Sequence, residues 1–190
     1  MAKLAILASG NGSNFSAIAQ KIKDSTHSVA CMICDRKDAY VFERAKEIGI
    51  KAYYVTFYKR DKKEAEQDIS EILKIEGIDF IALAGFMRIL SPSFINLWDN
   101  KIINIHPALL PKHPGAHGIE DSFNSEDLEL GVTIHYVDSG MDTGSIIYQE
   151  SFTRDTTESL ESVEKKIHLL EHKIYPKILL KKLNNLNRNL

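Results

Sequence analysis

Lys3-Leu-Ala-Ile-Leu-Ala-Ser-Gly-Asn-Gly-Ser-Asn14 has the pattern of a strand, a glycine turn and the start of a helix. Its apolar run from Leu4 to Ala8 fits a strand with both faces buried. A helix over Asn14–Lys23 is predicted by apolar residues at helical spacing, namely Phe15, Ile18, Ala19 and Ile22. A strand that leads through a glycine turn into a helix is the opening unit of an α/β fold.

The same alternation continues through the first half of the chain. We predict further strands at Val29–Cys34, Lys51–Val55 and Asp79–Ala84, and another that begins at Lys101. We predict helices near Tyr40–Ile48, over Asp61–Ile75 and, as a short helix, from Ser91. Strands that alternate with helices predict a doubly wound, mostly parallel sheet, and such sheets bind ligands beyond the carboxyl ends of their strands.

The second half has a different pattern. Residues 107–128 begin as a loop rich in proline and glycine, with a short helix expected near Glu120–Asn124. Gly131–Val137 and Ser145–Phe152 are predicted to form an antiparallel C-terminal strand pair. A helix is expected over Ser159–Ile174, and Pro176 should kink or restart it before Lys177–Leu183. We expect residues 184–190 to fray, and we expect residues 1–190 to form a single domain.

Composition narrows the class of protein. The chain has 190 residues, 44% of them hydrophobic and 26% charged, which is typical of a soluble globular protein. Its net charge of −2 predicts no general attraction to nucleic acid. The first apolar run is too short for a signal peptide, and no segment is long enough to cross a membrane, so we expect a cytoplasmic protein. Cys31 and Cys34 lie three apart in a predicted strand and should face opposite sides, which does not favour a shared metal.

Asn104-Ile-His106-Pro107 and the turn around Asp142 carry groups that suit acyl transfer. In a strand, side chains two positions apart share a face, so Asn104 and His106 should point into one cleft. An amide can stabilise an oxyanion, an imidazole can move a proton, and a carboxylate can tune that imidazole. Taken alone, these residues favour a simpler interpretation, in which Asn104 caps a turn and His106 merely ends a strand, because His and Asn often end strands.

The glycine turn, residues 9–14, is a candidate phosphate site. Backbone N–H groups at a helix start attract anions, and Gly12 would let a phosphate approach the main chain. The alternative is a tight turn with Ser13 or Asn14 as helix cap. A dinucleotide fingerprint would need glycine where Phe15 stands, although Asp35 could imitate the acid that binds an NAD ribose. A phosphate monoester is therefore the favoured ligand.

The other histidines give a weaker signal. His113 and His117 have metal-like spacing, but the Pro-Gly pair between them rules out a regular helix that carries both. Packed or solvated roles are expected for the remaining four, His27, His135, His168 and His172.

Five segments in order carry a resemblance to a known family. They are Ser9-Gly-Asn-Gly-Ser-Asn14, Ala84-Gly-Phe-Met-Arg-Ile-Leu-Ser-Pro92, Asn104-Ile-His-Pro-Ala-Leu-Leu-Pro-Lys112, Gly140-Met-Asp-Thr-Gly144 and Glu171-His-Lys-Ile-Tyr-Pro176. Together they resemble the phosphoribosylglycinamide formyltransferases, the folate-dependent transformylases of purine synthesis. The resemblance covers nearly the whole chain. It implies a Rossmann-like formyltransferase fold, with a phosphate-binding half over 1–100 and a catalytic and folate-binding half over 101–183.

The resemblance also implies an activity and a set of site residues. A formyl group would pass from 10-formyltetrahydrofolate, as cosubstrate, to the amine of glycinamide ribonucleotide, with no metal. Catalysis would fall to Asn104, His106 and Asp142. The acceptor substrate would be held by Gly12, Ser13, Asn14 and Glu171. The folate would contact Lys62, Met87, Arg88, Ile89, Leu90, Asn104, Asp138, Ser139, Gly140, Met141 and Asp142.

Lys62 marks a departure from the family pattern. Some members have an arginine there, near the folate's glutamate tail, and lysine keeps the charge but loses the bidentate fork. The expected partners are small molecules, with no nucleic acid or membrane, and the chain is expected to be a monomer or a homodimer.

Several alternative functions share this core. Relatives act on methionyl-tRNA or sugar nucleotides, or hydrolyse formyltetrahydrofolate, but these usually carry additional domains for which we expect no room here. A non-enzymatic nucleotide-binding module would need the phosphate loop but not Asn104, His106 and Asp142 together.

Overall fold

One seven-stranded sheet organises residues 1–186, the part of the chain that the computed structural model describes. Its strands are β1 (Lys3–Ala8), β2 (Ser28–Cys34), β3 (Lys51–Tyr54), β4 (Phe80–Leu83), β5 (Ile102–His106), β6 (Glu129–Tyr136) and β7 (Ile146–Thr153). They lie in the order β3-β2-β1-β4-β5-β6-β7. The first five are parallel, whereas β6 is antiparallel to β5 and β7. The predicted doubly wound sheet with an antiparallel C-terminal pair is confirmed.

Helices cover both faces of this sheet. They are α1 (Ser13–Lys23), α2 (Val41–Ile48), α3 (Lys62–Glu76), α4 (Pro92–Leu97), α5 (Gly118–Asn124) and α6 (Leu160–Leu186). Side chains of α1, α2 and α6 join one buried apolar cluster, and those of α3 and α4 join another on the opposite face. Cys34 belongs to the first cluster and Cys31 to the second, both as free thiols. The prediction that the two cysteines face opposite sides is confirmed.

Helix α6 runs through Pro176 without a break, so the predicted restart after this proline is wrong. Proline removes one backbone donor, but tertiary packing holds the helix together here. Tyr175 and Pro176 are buried, and the Tyr175 hydroxyl lies 2.9 Å from the carbonyl oxygen of Leu83 and 3.0 Å from that of Ile103. The helix also continues to Leu186, so the predicted fraying is wrong for residues 184–186, while 187–190 lie outside the described residues.

The fold gathers the loops that follow β1, β4 and β5 at one edge of the sheet. The Ser9 N–H donates to the Gly85 carbonyl over 3.0 Å, and the Ser9 hydroxyl accepts from the Met87 N–H over 2.9 Å. These bonds join the glycine turn to the segment after β4. None of the helices within residues 1–186 is long and apolar enough to span a membrane.

Candidate active site

A cavity of about 650 Å³ opens at the carboxyl edge of the parallel strands. This volume falls in the range of pockets that enclose small molecules. Its wall includes residues 10–14 and 83–90, the end of β5, the turn after β6 and one face of α6. Of the residues predicted for the site, the cavity wall includes Gly12, Ser13, Asn14, Met87, Arg88, Ile89, Leu90, Asn104, His106, Asp138, Gly140, Met141, Asp142 and Glu171.

Strand β5 presents Asn104 and His106 to the cavity, as their spacing predicts. His106 is 3% exposed, so its imidazole is positioned by protein groups rather than by water. Its Nε2 lies 2.7 Å from the carbonyl oxygen of His113, and a carbonyl only accepts, so Nε2 carries a proton. Its Nδ1 lies 3.4 Å from Oδ2 of Asp142. Each ring nitrogen of His106 therefore faces a hydrogen-bond acceptor.

Close packing by α5 leaves no space behind His106. The helix begins at Gly118, and a Cβ added there would lie 2.9 Å from Nε2 and 3.0 Å from Cε1 of the imidazole. Glycine is therefore required at this position by the ring it packs against. Sequence reasoning gave Gly118 no role, because the contact joins segments that only the fold brings together.

Asp142 is the centre of the polar cluster. Its backbone has a φ of 56°, a left-handed conformation that Asp tolerates better than most residues. Oδ2 accepts a 2.8 Å hydrogen bond from the Gly115 N–H, and Oδ1 lies 3.5 Å from Nδ2 of Asn104. Burial alone would raise the pKa of the Asp142 carboxyl. The hydrogen bonds from His135 and Gly115, together with the charges of His106 and His135, outweigh burial and lower this pKa below its usual value.

His135 is a further member of this cluster, one that sequence reasoning assigned to a packed or solvated role. It stands opposite Asn104 in the register of β5 and β6. Its Nε2 lies 3.3 Å from Nδ2 of Asn104 and 3.5 Å from Oδ1 of Asp142, while Nδ1 donates to the Tyr136 carbonyl over 2.8 Å. The strand pairing was predictable only between β6 and β7, so the register that places His135 beside Asn104 had no sequence signal.

The glycine turn forms the opposite end of the cavity, at the start of α1. Gly12 is the N-cap, with a φ of 78° and no side-chain cap, so the alternative in which Ser13 or Asn14 caps the helix is wrong. A Cβ on Gly12 would lie 2.5 Å from Cγ2 of Val41 in α2. Glycine is thus required here both by backbone conformation and by the close approach of α2. The free N–H groups at the start of α1 are suited to an anion.

Glu171 on α6 faces this anion site. Its Oε2 accepts from Nδ2 of Asn14 over 3.1 Å and from Nδ1 of His168 over 2.9 Å, and the residue is 4% exposed. Within residues 1–186, Oδ1 of Asn14 is buried without a hydrogen-bond partner. An unpaired buried acceptor is suited to a hydroxyl donor of a ligand.

His168 also lines the cavity, although sequence reasoning had assigned it a background role. The hydrogen bond to Glu171 raises the pKa of the His168 imidazole, against the opposing effect of partial burial, and the charges of Glu171 and Glu164 act in the same direction. The protonated form of the His168 side chain is thereby favoured beside Glu171.

The segment after β4 gives the cavity an apolar mouth. Met87 and Ile89 are 55% and 56% exposed, and Met141 across the mouth is 52% exposed, whereas Leu90 is buried. Three exposed apolar side chains around a cavity are suited to a flat, partly apolar ligand.

Arg88 is fixed at the same mouth. Its Nε donates to Oδ2 of Asp35 over 2.6 Å, and its guanidinium carbon lies 5.3 Å from the ring centroid of Phe57. Asp35, which the sequence suggested could imitate an NAD-binding acid, is engaged by Arg88 instead.

Two predicted folate contacts lie outside the cavity wall, namely Lys62 and Ser139. Lys62 begins α3, and its Nζ lies 4.0 Å from Oε1 of Glu66, which in turn accepts from the Ser91 N–H over 2.7 Å. The side chain of Lys62 is therefore directed along its own helix toward Glu66 rather than into the cavity. In residues 1–186, no group of three His, Cys, Asp or Glu side chains is arranged to hold a metal ion.

Comparisons with known proteins agree with this fold. The family model described as formyl transferase matches residues 2–179. The phosphoribosylglycinamide formyltransferase of Bacillus subtilis is 43% identical over 98% of this chain and 97% of its own length. The crystal structure of glycinamide ribonucleotide transformylase 1 from Geobacillus kaustophilus superposes with a TM-score of 0.91 at 41% identity, over 96% of this chain and 99% of that one.

A longer relative carries the same unit as one segment. The trifunctional purine biosynthetic protein adenosine-3 of Drosophila pseudoobscura pseudoobscura is 37% identical over 93% of this chain, which spans 13% of that protein. The chain therefore belongs to the formyl transferase family of enzymes, and it groups with the phosphoribosylglycinamide formyltransferases.

Proposed function

We propose that the protein transfers the formyl group of 10-formyltetrahydrofolate to the amine of N1-(5-phospho-D-ribosyl)glycinamide in purine synthesis. The observation that supports this is a single cavity with an anion site at one end and Asn104, His106 and Asp142 toward the other. The names of the full-length relatives support the same acceptor. A phosphate site without the catalytic trio would have favoured a simple nucleotide-binding module instead.

The acceptor is bound by its phosphate and its ribose. The N–H groups of Gly12, Ser13 and Asn14 at the start of α1 hold the phosphate, and His168 adds a positive charge nearby. A ribose hydroxyl donates to the unpaired Oδ1 of Asn14, while Glu171 accepts another. This arrangement leaves the glycinamide amine to extend along the cavity toward β5.

The folate occupies the apolar mouth and supplies an activated formyl carbon bonded to a nitrogen leaving group. Leu90 forms the buried floor and Met87, Ile89 and Met141 the exposed rim, while the turn over 138–142 covers the ring. We propose that Lys62 interacts with the distal carboxylates of the folate from outside the cavity wall, and that Ser139 shapes the covering turn through its backbone. These residues bind and orient; they take no part in the chemical step.

Asn104 stabilises the charge that forms when the amine attacks the formyl carbon. Its Nδ2 lies 3.3 Å from Nε2 of His135 and 3.5 Å from Oδ1 of Asp142, and the second contact is at the limit of a hydrogen bond. One N–H is therefore free to turn to the oxyanion with little loss. Preorganised donors of this kind are often the largest single contribution to catalysis.

His106 and Asp142 manage the protons. The attacking amine loses a proton, and the departing folate nitrogen gains one as the carbon–nitrogen bond breaks. His106 is protonated on Nε2 and faces the Asp142 carboxylate through Nδ1, so the pair can store positive charge beside the oxyanion. Asp142 remains ionised because its pKa is lowered, and it can orient a water along the proton path.

The two predicted halves of the chain take different tasks in this proposal. Residues 1–100 supply the phosphate loop and the Met87–Leu90 side of the folate pocket. Residues 101–183 supply the catalytic cluster, the covering turn and the Glu171 contact. Because each substrate meets both halves, we propose that residues 1–190 act as one domain.

The direct test is an acceptor survey. The protein is mixed with 10-formyltetrahydrofolate, and deformylated folate is followed by absorbance with glycinamide ribonucleotide, its dephosphorylated form, or no acceptor. We expect turnover with the nucleotide and a much lower kcat/KM without the phosphate. Equal turnover without the phosphate would contradict the acceptor site, and rapid loss of formyl groups with no acceptor would indicate a hydrolase.

A further inference from the structure

The imidazole of His106 is held from behind by a residue that does not line the active-site cavity. The His113 carbonyl accepts the Nε2–H of His106 over 2.7 Å, while His113 itself is absent from the cavity wall. The direction of that carbonyl therefore decides where the His106 proton lies and how the ring is oriented.

The backbone of His113 adopts a conformation that needs support. Its φ is 53°, in the left-handed region, which is uncommon for residues other than glycine, although asparagine, aspartate and histidine occupy it more often than the rest. Such a conformation persists only when surrounding contacts fix it. For His113, this support comes from a contact of its side chain.

Asp127 provides the support. Its Oδ2 lies 3.1 Å from Nε2 of His113, and a carboxylate only accepts, so the histidine donates this hydrogen bond. The other carboxylate oxygen accepts from Nζ of Lys112 over 2.6 Å. The Asp127 backbone N–H is itself bound to the Ser125 hydroxyl over 3.1 Å, which fixes the loop after α5. Hydrogen bonds from Lys112 and His113 lower the pKa of the Asp127 carboxyl, so it is ionised at neutral pH.

We propose that Asp127, acting through His113, is a positioning residue for the catalytic imidazole of His106. The path is a carboxylate, an imidazole, a backbone carbonyl and the His106 Nε2–H, in that order. Asp127 and His113 line a second cavity of about 390 Å³ behind the active site and are absent from the wall of the first. They can therefore affect the chemical step without contact with either substrate.

The proposal has a consequence for the proton on His106. While the His113 carbonyl is in place, Nε2 of His106 keeps its proton. Nδ1 of His106 is then the nitrogen that can exchange a proton with Asp142. If the carbonyl turns away, the ring can flip or place its single proton on Nδ1, where Asp142 accepts it. The His106–Asp142 pair could then no longer hold positive charge beside the oxyanion in the way proposed above.

The experiment compares four proteins: wild type, Asp127→Ala, Asp127→Asn and Lys112→Met. Asp127→Ala removes the acceptor for His113, whereas Asp127→Asn keeps an oxygen that can accept the same bond. Lys112→Met removes the other partner of the same carboxylate and serves as the matched control. We measure kcat, the KM of each substrate, the thermal melting curve and the long-range ¹H–¹⁵N NMR signals of the His106 ring.

Because small misplacement of a catalytic group can cost about a hundredfold in rate, we expect Asp127→Ala to lower kcat by roughly 10–100-fold. Both KM values should stay within about twofold of wild type, since neither substrate touches Asp127. Asp127→Asn should recover most of the lost kcat, and Lys112→Met should resemble wild type. In the NMR spectrum, Asp127→Ala should weaken the signal of a proton on His106 Nε2.

Three results would overturn the proposal: an unchanged kcat in folded Asp127→Ala, an equal loss in Lys112→Met, or an unaltered His106 NMR signature. If Asp127→Ala fails to fold, His113→Asn replaces it, because asparagine tolerates the left-handed backbone but has a shorter side chain. A wild-type kcat in folded His113→Asn would count against the proposal. The kinetic readout rests on the proposed function, whereas the NMR readout needs no substrate, so the two proposals can fail separately.

Discussion

A single methyl group at Gly118 should displace the His106 imidazole. In Gly118→Ala the new Cβ would lie 2.9 Å from Nε2 and 3.0 Å from Cε1, against about 3.5 Å or more for a relaxed contact. The ring must therefore recede by roughly 0.5–1 Å. A shift of this size away from the carbonyl would lengthen the 2.7 Å hydrogen bond to His113 to roughly 3.2–3.7 Å, from the upper end of the usual range to beyond it.

In Gly118→Ala, we expect a large fall in kcat but only a modest fall in the free energy of unfolding. A misplacement of about 1 Å can cost about a hundredfold in rate, so we expect kcat to fall by roughly 10–100-fold with little change in either KM. Overpacking costs about 1–3 kcal/mol, and Gly118 is the first residue of α5, where the gain in helix propensity is small, so the loss of unfolding free energy should be of that size. The protein should thus stay folded while its chemical step is slowed.

Steady-state kinetics and urea unfolding of the same preparation measure both effects. Asn124→Ala is the matched control, because it lies exposed at the end of the same helix, gains helix propensity and is remote from His106. A wild-type kcat in Gly118→Ala would refute the reasoning, since it would mean that the imidazole can yield without cost. A kcat loss of the same size in Asn124→Ala would place the cause in the helix rather than in the contact.

Three further predictions concern residues of the proposed catalytic and acceptor sites, namely Asn104, Asp142 and His168. Asn104→Ala should lower kcat by roughly 10²–10³ through loss of an oxyanion donor, and full activity of the purified variant in the absorbance assay would exclude that role. Asp142 has a lowered pKa in the folded state, so it stabilises the fold above the unfolded value of about 3.9 and loses this contribution as pH falls through the folded value. Denaturant unfolding should accordingly show Asp142→Asn less stable than wild type at pH 7, with a gap that closes in acid; a gap that is constant with pH would contradict this. His168 has a raised pKa, so its charge is present at low pH and lost as pH rises through that value. His168→Gln should increase the acceptor KM most at low pH, and an equal effect with the dephosphorylated acceptor would argue against a phosphate contact.

The fold could be predicted because its signals are local. Strands buried on both faces appear as apolar runs, as in β1 and β4, and the helices between them carry apolar residues at regular spacing. The opposite orientation of Cys31 and Cys34 followed from strand periodicity alone. Pro176 was misjudged because local propensity predicts a break, whereas Tyr175 ties the helix to β4 and β5 through contacts that are distant in sequence.

The site could be predicted only in part, for the same reason. Asn104 and His106 share a face through local geometry, and Asp142 stands in a recognisable turn. His135 joins them through the register of an antiparallel pair. His168 and Glu171 are neighbours one helical turn apart on α6, but they join the site only because α6 borders the cavity. The register of paired strands and the docking of a helix depend on packing across the whole core, so neither is encoded by a short segment.

The strand order sets the distance between the proposed phosphate site and Asn104. The phosphate loop leaves β1 and the catalytic amide stands on β5, with β4 alone between them. Two strand spacings of about 4.8 Å therefore set roughly 10 Å between the two strands that carry these groups. Backbone hydrogen bonds maintain this length, so side-chain motion cannot readily adjust it. Under the proposed function, we expect an acceptor longer by one methylene between its phosphate and its amine to overshoot the formyl carbon, so that the sheet itself would select the acceptor by length.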